Sequence, residues 1–424
     1  MAELYENIKQ KDRVLMTAVD TGAYDVNASL DELEELVKTA DGEPVIRVVQ
    51  KRSSYDKATC IGSGRLEEIA DLCRIHEIDR VIFDCELTAT QIRNIEDVCG
   101  VFTIDRTMLI LDIFAAHAKT HEGRLQVEIA QNKYRLPRLA GMGLNLSRLG
   151  GGIGTRGPGE TKLETDKRHI RARIAALTEE LHEIEKRRDL MRKRRKKDGV
   201  LTAAIVGYTN AGKSTLLNVL TQAGVLSEDK LFATLETTSR AIELPDGRTV
   251  TLIDTVGFIS RLPHHLVEAF KSTLEEAAQA DVIIHVADLS DTECEKKTEV
   301  TRKLLSELGC DGIPVVTVYN KCDKVPYADE LQKETGESEV MISAKTGAGL
   351  DKMLAAVAAA LPATCTRCRL LLPFDKAGLL NTIRAEGRVF SEDYTAEGIA
   401  VDALIDKKVF YLVEEYKVNG VNKL

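Results

Sequence analysis

The stretch Gly207-Tyr208-Thr209-Asn210-Ala211-Gly212-Lys213-Ser214 decides how this chain is read. An apolar run, Leu201 to Val206, precedes it and reads as a buried strand. Thr215 to Leu220 follows with helical apolar spacing. Strand, glycine-rich turn, Lys-Ser and helix is the context of a phosphate-binding loop. Gly207 and Gly212 let the backbone turn its N–H groups toward a polyphosphate, Lys213 reaches the β- and γ-phosphates, and Ser214 places a hydroxyl on Mg²⁺.

Further motifs follow in order. The polar segment Phe232-Ala233-Thr234-Leu235-Glu236-Thr237-Thr238 offers a threonine to complete a Mg²⁺ shell; spacing does not choose among Thr234, Thr237 and Thr238. Val250 to Ile253 reads as a strand ending in Asp254-Thr255-Val256-Gly257. Asp254 suits the Mg²⁺ shell, and the Gly257 N–H suits a γ-phosphate oxygen, which makes the pair a sensor of the group lost on hydrolysis. Asn320-Lys321-Cys322-Asp323 follows the strand Val315 to Tyr319. A carboxylate at Asp323 accepts from guanine N1–H and the 2-amino group, a donor pair adenine lacks, so GTP is expected over ATP. Asn320 supports the base edge and ties this loop to the phosphate loop, while the Lys321 stem covers the ring. Ser343-Ala344-Lys345 offers a backbone N–H to guanine O6.

Length and charge set the surroundings. A chain of 424 residues calls for several domains. No apolar run approaches a membrane span, no signal peptide is evident, and nine scattered cysteines argue for a reducing cytoplasm. The net charge of −9 is uneven. Arg124 to Lys197 holds 20 Lys/Arg against 9 Asp/Glu, a net of +11, which leaves −20 for the remainder. A basic segment in an acidic protein points to a polyanion such as RNA.

The fold expected is multidomain α/β: an N-terminal α/β domain (1–117), a helical hairpin (118–199), a P-loop GTPase domain (200–362) and a small α+β C-terminal domain (363–424). Strand-like and helix-like segments alternate from Val14 to Ile104, implying a largely parallel sheet. Ile61-Gly62-Ser63-Gly64 within it reads as a turn. Leu125, Ile129 and Leu136 mark a helix that Pro137 is expected to stop. Leu163, Ile170, Ile174, Leu177, Leu181 and Ile184 form an a/d seam, predicting a helix over 161–196, about 50 Å long. Between these, Leu139 to Glu160 is glycine-rich and reads as a basic loop at the hairpin tip. The second arm ends in Arg192-Lys193-Arg194-Arg195-Lys196-Lys197, either an RNA contact or a solvated face. In the tail, Leu370–Phe374, Ile399–Val401 and Val409–Val413 read as strands with a helix at Leu379–Ile383; Cys365 and Cys368 read as incidental rather than half a zinc site.

Residues 200 to 362 resemble a translation-factor-type GTPase of the Obg/HflX group, and the whole chain resembles the HflX family. The carriers are Gly150-Gly151-Gly152-Ile153-Gly154-Thr155-Arg156-Gly157-Pro158-Gly159-Glu160, the loop Gly207 to Ser214, Phe232-Ala233-Thr234-Leu235, and Asp254-Thr255-Val256-Gly257-Phe258-Ile259. The resemblance implies a GTPase that binds the 50S subunit through 23S rRNA and splits stalled or idle 70S ribosomes under stress; an assembly or rRNA-remodelling role is the alternative. It selects Thr234, with Ser214, as the Mg²⁺ ligands. Glu236 departs from the family's frequent Asp. Phe258 stands where many related GTPases place a water-orienting Gln, so hydrolysis by the monomer alone is expected to be slow and ribosome-stimulated. Asn210 has two readings: a K⁺ ligand beside the β- and γ-phosphates, or a brace for the loop.

Overall fold

The computed structural model describes residues 11–147, 158–197, 199–221, 232, 238–261, 276–326, 336, 338–362 and 365–418. The chain divides into two compact units: residues 1–189, 226–237 and 256–274 form one, and 190–225, 238–255 and 275–424 the other.

In the first unit, strands β1 (Arg13–Asp20), β2 (Glu43–Lys51), β3 (Arg80–Phe83) and β4 (Phe102–Asp105) form a parallel sheet in the order β2-β1-β3-β4. Residues of β1 alternate between its faces. Val14, Met16 and Ala18 meet Leu30, Leu33 and Leu36 of α1 (Val26–Thr39). Leu15 and Val19 meet Leu66 and Ile69 of α2 (Ser63–Ile75) and Ile95 of α3 (Ala89–Cys99). A parallel sheet buries both faces, as here. The turn expected at Ile61-Gly62-Ser63-Gly64 is instead a helix start: Ser63 and Gly64 open α2, Gly62 is its N-cap residue, and the Gly62 N–H is taken by Gln50 Oε1 at 2.8 Å.

Helix α4 (Arg106–His117), capped by Asp105, carries no expectation from the sequence. Leu109, Ile110, Leu111, Ile113 and Phe114 are all buried, so no polar face marks a period.

Helix α5 (His121–Ser147) runs through Pro137, which corrects the expected stop there. Arg138 overrides the local rule. Its guanidinium lies 3.4 Å from the Tyr134 ring centroid and donates to Tyr134 O, Leu87 O and the Asp105 carboxylate, anchoring the turn that proline weakens. Helix α6 (Pro158–Lys197) starts on a proline, the residue best suited to a first helical position. The tip expected over 139–160 is therefore shorter. Gly141 and Gly143 belong to α5 and Gly159 to α6; residues 148–157 lie outside the described residues. The seam forms as an antiparallel pair, with Leu125 and Ile129 packed on Leu177, Leu181 and Ile184. Glu128 meets Arg173 at 2.7 Å, and Glu122 meets Arg188 at 2.8 Å.

The second unit contains β5 (Leu201–Gly207), β6 (Thr238–Glu243), β7 (Thr249–Asp254), β8 (Val282–Asp288), β9 (Val315–Asn320) and β10 (Glu339–Met341). Their order is β10-β9-β8-β5-β7-β6, parallel except for β6. Helices α7 (Lys213–Thr221), α8 (Cys294–Glu307) and α9 (Leu350–Ala360) accompany the sheet. The tail pairs β11 (Cys365–Leu372), β12 (Gly387–Thr395) and β13 (Gly398–Asp406) in the antiparallel order β11-β13-β12, with α10 (Gly378–Glu386). Val409–Val413 is not the expected strand. Lys407–Phe410 is the short helix α11, and burial of Val409, Phe410 and Val413 follows a spacing of three to four, not two.

Candidate functional site

The strand order reverses around β5, whose neighbours are β7 and β8. Ligands of open parallel sheets bind at the carboxyl ends of strands at such a point. Gly207 ends β5 there. A Cβ on Gly207 would lie 2.1 Å from Val286 O, and one on Gly212 (φ +94°) 2.2 Å from Asn320 Nδ2. No larger residue fits either place. Asn210 is exposed and holds a left-handed φ of 60° without being glycine.

Lys213 opens α7 and is buried. Its ammonium donates to Gly207 O at 3.0 Å and Tyr208 O at 2.8 Å. Burial pushes its pKa down to about 8, against the upward pull of Asp254. The Ser214 hydroxyl donates to Asp254 Oδ2 at 3.3 Å, and Asp254 is 1% exposed. A hydroxyl and a carboxylate side by side form a hard-oxygen donor pair that suits Mg²⁺. Thr255 closes the end of β7: its N–H and hydroxyl both donate to Ile205 O. Tyr208, Thr209 and Ala211 are buried within the loop.

The base-side motifs converge on Asn320, 2% exposed. Its Nδ2 donates to Ala211 O at 2.8 Å, and its Oδ1 accepts from Ala344 N at 2.9 Å. One side chain thus ties three expected segments together. Lys321 adopts φ 63° and pairs with Asp288 Oδ2 at 2.7 Å. Cys322 N donates to Ile342 O. Asp323 is exposed, and the Ser343 hydroxyl beside it holds its carboxyl below the usual range, which keeps it an acceptor. Lys345 is exposed next to the buried Ala344. Asp288 was not singled out from sequence; a carboxylate ending the apolar run of β8 was the available signal.

The Asp254–Gly257 motif spans the unit boundary: Val256 and Gly257 belong with the first unit. There Val256, Ile259 and Phe232 join the core of α1, α4 and α5, with the Phe232 ring 4.7 Å from that of Phe114. Phe258 is 3% exposed. A buried ion-pair cluster holds the same segment. Asp84 accepts from Ser29 Oγ at 2.6 Å, Arg106 at 2.9 Å and Arg261 at 3.1 Å. Arg106 also binds the Glu32 carboxylate and Ser260 O, and Glu32 accepts from Ser260 N. Sequence reasoning missed this cluster. Ala233, Thr234, Leu235 and Glu236 lie outside the described residues. Among the described residues no group of His, Cys, Asp and Glu forms a metal cluster, and the side chain of Cys365 lies outside them.

Three family models cover most of the chain: a GTP-binding GTPase N-terminal region (27–115), a GTP-binding GTPase middle region (117–195) and a 50S ribosome-binding GTPase (202–321). GTPase HflX of Lacrimispora saccharolytica is 48% identical over 414 residues, covering 97% of each chain. GTPase HflX of Caldanaerobacter subterraneus is 50% identical over 398 residues, covering 94% of this chain and 92% of its own. The crystal structure of SsGBP with GDP aligns with a TM-score of 0.47 and 25% identity, covering 82% of this chain and 98% of that one. With the phosphate loop, the paired Ser214 and Asp254 and the Asn320 bridge in place, the chain is a GTPase and belongs to the HflX family.

Proposed function

We propose that this GTPase binds the 50S subunit and splits stalled or idle 70S ribosomes in the cytoplasm, acting as a monomer whose bound state is timed by GTP. The observation that carries the reading is the α5–α6 hairpin. It has a rigid antiparallel stem, and α6, about 60 Å long at ~1.5 Å per residue, ends in a basic run. Within that arm Lys186 and Arg188 are occupied by Glu183 and Glu122. Arg187, Lys193 and Arg194 are exposed and suited to phosphates of 23S rRNA. The family model described as a 50S ribosome-binding GTPase supports the same partner. No helix among the described residues is long and apolar enough to cross a membrane.

In the proposed cycle Lys213 and the loop N–H groups hold the β- and γ-phosphates. Ser214 and Thr234 hold Mg²⁺, which supplies charge neutralisation on the transferring phosphoryl group. Asp323 reads the guanine edge. Ser343 N and Ala344 N already serve Ala348 O and Asn320, which leaves the Lys345 N–H for guanine O6. Gly257 senses the γ-phosphate. Phe258 has no polar atom to orient water, so turnover is slow until the ribosome supplies that function. Asn210 holds K⁺ in the same reading.

Light scattering of purified 70S ribosomes with GTP or a non-hydrolysable analogue tests the splitting role. A drop in scattering is expected. Unchanged scattering with demonstrated 50S binding sinks it in favour of assembly. Neutralising Arg192 to Lys197 is expected to weaken ribosome binding and flatten its salt dependence.

A further inference from the structure

The first unit holds two cysteine pairs that the nucleotide chemistry does not use. Cys60 and Cys85 bring their sulfurs to 3.3 Å. Cys73 of α2 and Cys99 of α3 are hydrogen-bonded to each other. They differ in access: Cys73 and Cys99 are both buried, whereas Cys60 is buried and Cys85 is only half-buried.

The loop between β2 and α2 fixes the first pair. Asp56 and Cys60 exchange backbone hydrogen bonds at 2.9 and 3.0 Å. Gln91 Nε2 donates to Asp56 O, and Asn94 Nδ2 to Ala58 O, both at 2.9 Å from α3. Thr59 Oγ1 donates to Ile61 O at 2.6 Å. So braced, Cys60 keeps a left-handed φ of 67° and turns its thiol inward. Cys85 is the second residue past β3, next to Asp84 of the ion-pair cluster.

We propose that Cys60 and Cys85 form a thiol–disulfide redox site, closed by a small peroxide and reopened by a dithiol reductant. The hydrogen bond between them lowers the Cys60 pKa and raises that of Cys85, so the pair loses one proton readily and holds the second. The pair's thiolate, reached from the half-buried Cys85 side, attacks one peroxide oxygen and breaks the O–O bond. The departing hydroxide takes a proton and leaves as water, and that sulfur becomes a sulfenic acid. The second sulfur then attacks it. The S–O bond breaks, and hydroxide leaves with the second thiol's proton as a second water. Two thiols have lost two electrons to the peroxide. The sulfurs close from 3.3 Å to about 2.05 Å, a movement of roughly 1.3 Å. Such a bond in a reducing compartment is transient and regulatory rather than structural.

The experiment treats the full-length protein with hydrogen peroxide, blocks remaining thiols with N-ethylmaleimide in denaturant, and maps non-reduced tryptic peptides by mass spectrometry. Arg65, Arg74 and Arg80 place Cys60 and Cys85 on separate peptides. The expected product joins them at two hydrogen masses below their sum and disappears with dithiothreitol. Its yield is at least about tenfold that of any Cys73–Cys99 product. Cys85→Ser and Cys60→Ser each remove the linkage. Both variants keep the GTP turnover of the untreated protein, since neither residue belongs to the nucleotide site. Should Cys60→Ser fail to fold, the half-buried Cys85→Ser decides alone. Recovery of both cysteines alkylated, or equal linkage to another cysteine, overturns the proposal.

Discussion

Lys213 and Arg106 are both buried cations, and their surroundings differ in kind. Lys213 sits against two backbone carbonyls, and burial lowers its pKa to about 8. Arg106 is 3% exposed, yet its pKa rises: burial pulls it down, and the Glu32 and Asp84 carboxylates more than reverse this. Carbonyl dipoles tolerate a charge, whereas two carboxylates complete it. A cation whose charge is only tolerated gains from an incoming anion. A cation already completed gains nothing from one and serves to hold chain segments together, here α1, α4 and the segment at Ser260.

The comparison breaks first at Arg106. Arg106→Met leaves Glu32 and Asp84 without their shared partner, although Arg261 still meets Asp84. Losing one member of a buried pair costs about 3 kcal/mol or more, on the order of 10 °C for a unit of this size. Thermal unfolding of the ligand-free protein measures this; a midpoint within a degree or two of the parent would mean that Arg106 does not hold these segments together. Lys213→Met is expected to act the other way. GTP turnover falls by roughly a hundredfold or more, because the phosphoryl charge loses its cation. The ligand-free midpoint holds or rises, since a costly buried charge is gone. A fall matching that of Arg106→Met would show the two cations to be equivalent after all.

The same contrast explains what could be read in advance. The phosphate loop, Asp254 and Asn320-Lys321-Cys322-Asp323 were legible because each motif's chemistry lies in consecutive residues. The Asn320 bridge followed from them, as Ala211 and Ala344 each belong to another motif. Glu32, Asp84, Arg106 and Arg261 carry no local signature; only the packing of α1, β3 and α4 brings three of them to one place. Cys60 and Cys85 are hidden in the same way. Three elements differ from their expected form, each for its own reason. Helix α4 lacks a polar face and so lacks a period. Pro137 looked like a stop because the Arg138 contacts to Leu87 and Asp105 are tertiary. The run Val409–Val413 is as apolar as a strand but buries with helical spacing.

The smallest effect is the sharpest test of how Lys213 is held. Its folded pKa, lowered from 10.5 to about 8, means that the ligand-free fold releases this proton before the unfolded chain does. Between those values the unfolded state binds more protons, so this lysine's contribution to stability rises with pH in that window. Binding of GDP works against that gain. A polyphosphate restores the ammonium, so above pH 8 binding takes up a proton and affinity falls. Titration calorimetry is expected to show GDP binding about tenfold weaker at pH 9 than at pH 7. Buffers of different ionisation enthalpy should report the matching proton uptake. Guanine loses its own N1 proton toward the upper end, so Lys213→Met measured in parallel supplies the baseline. His285 does not intrude, because burial lowers its pKa to about 4. The imidazole is thus neutral in the fold throughout this range, and its contribution to stability is lost only as pH falls below 6.5 toward 4. Equal slopes for parent and variant between pH 7 and 9 would mean that Lys213 stays charged in the ligand-free loop, with the two carbonyls completing it as fully as carboxylates complete Arg106.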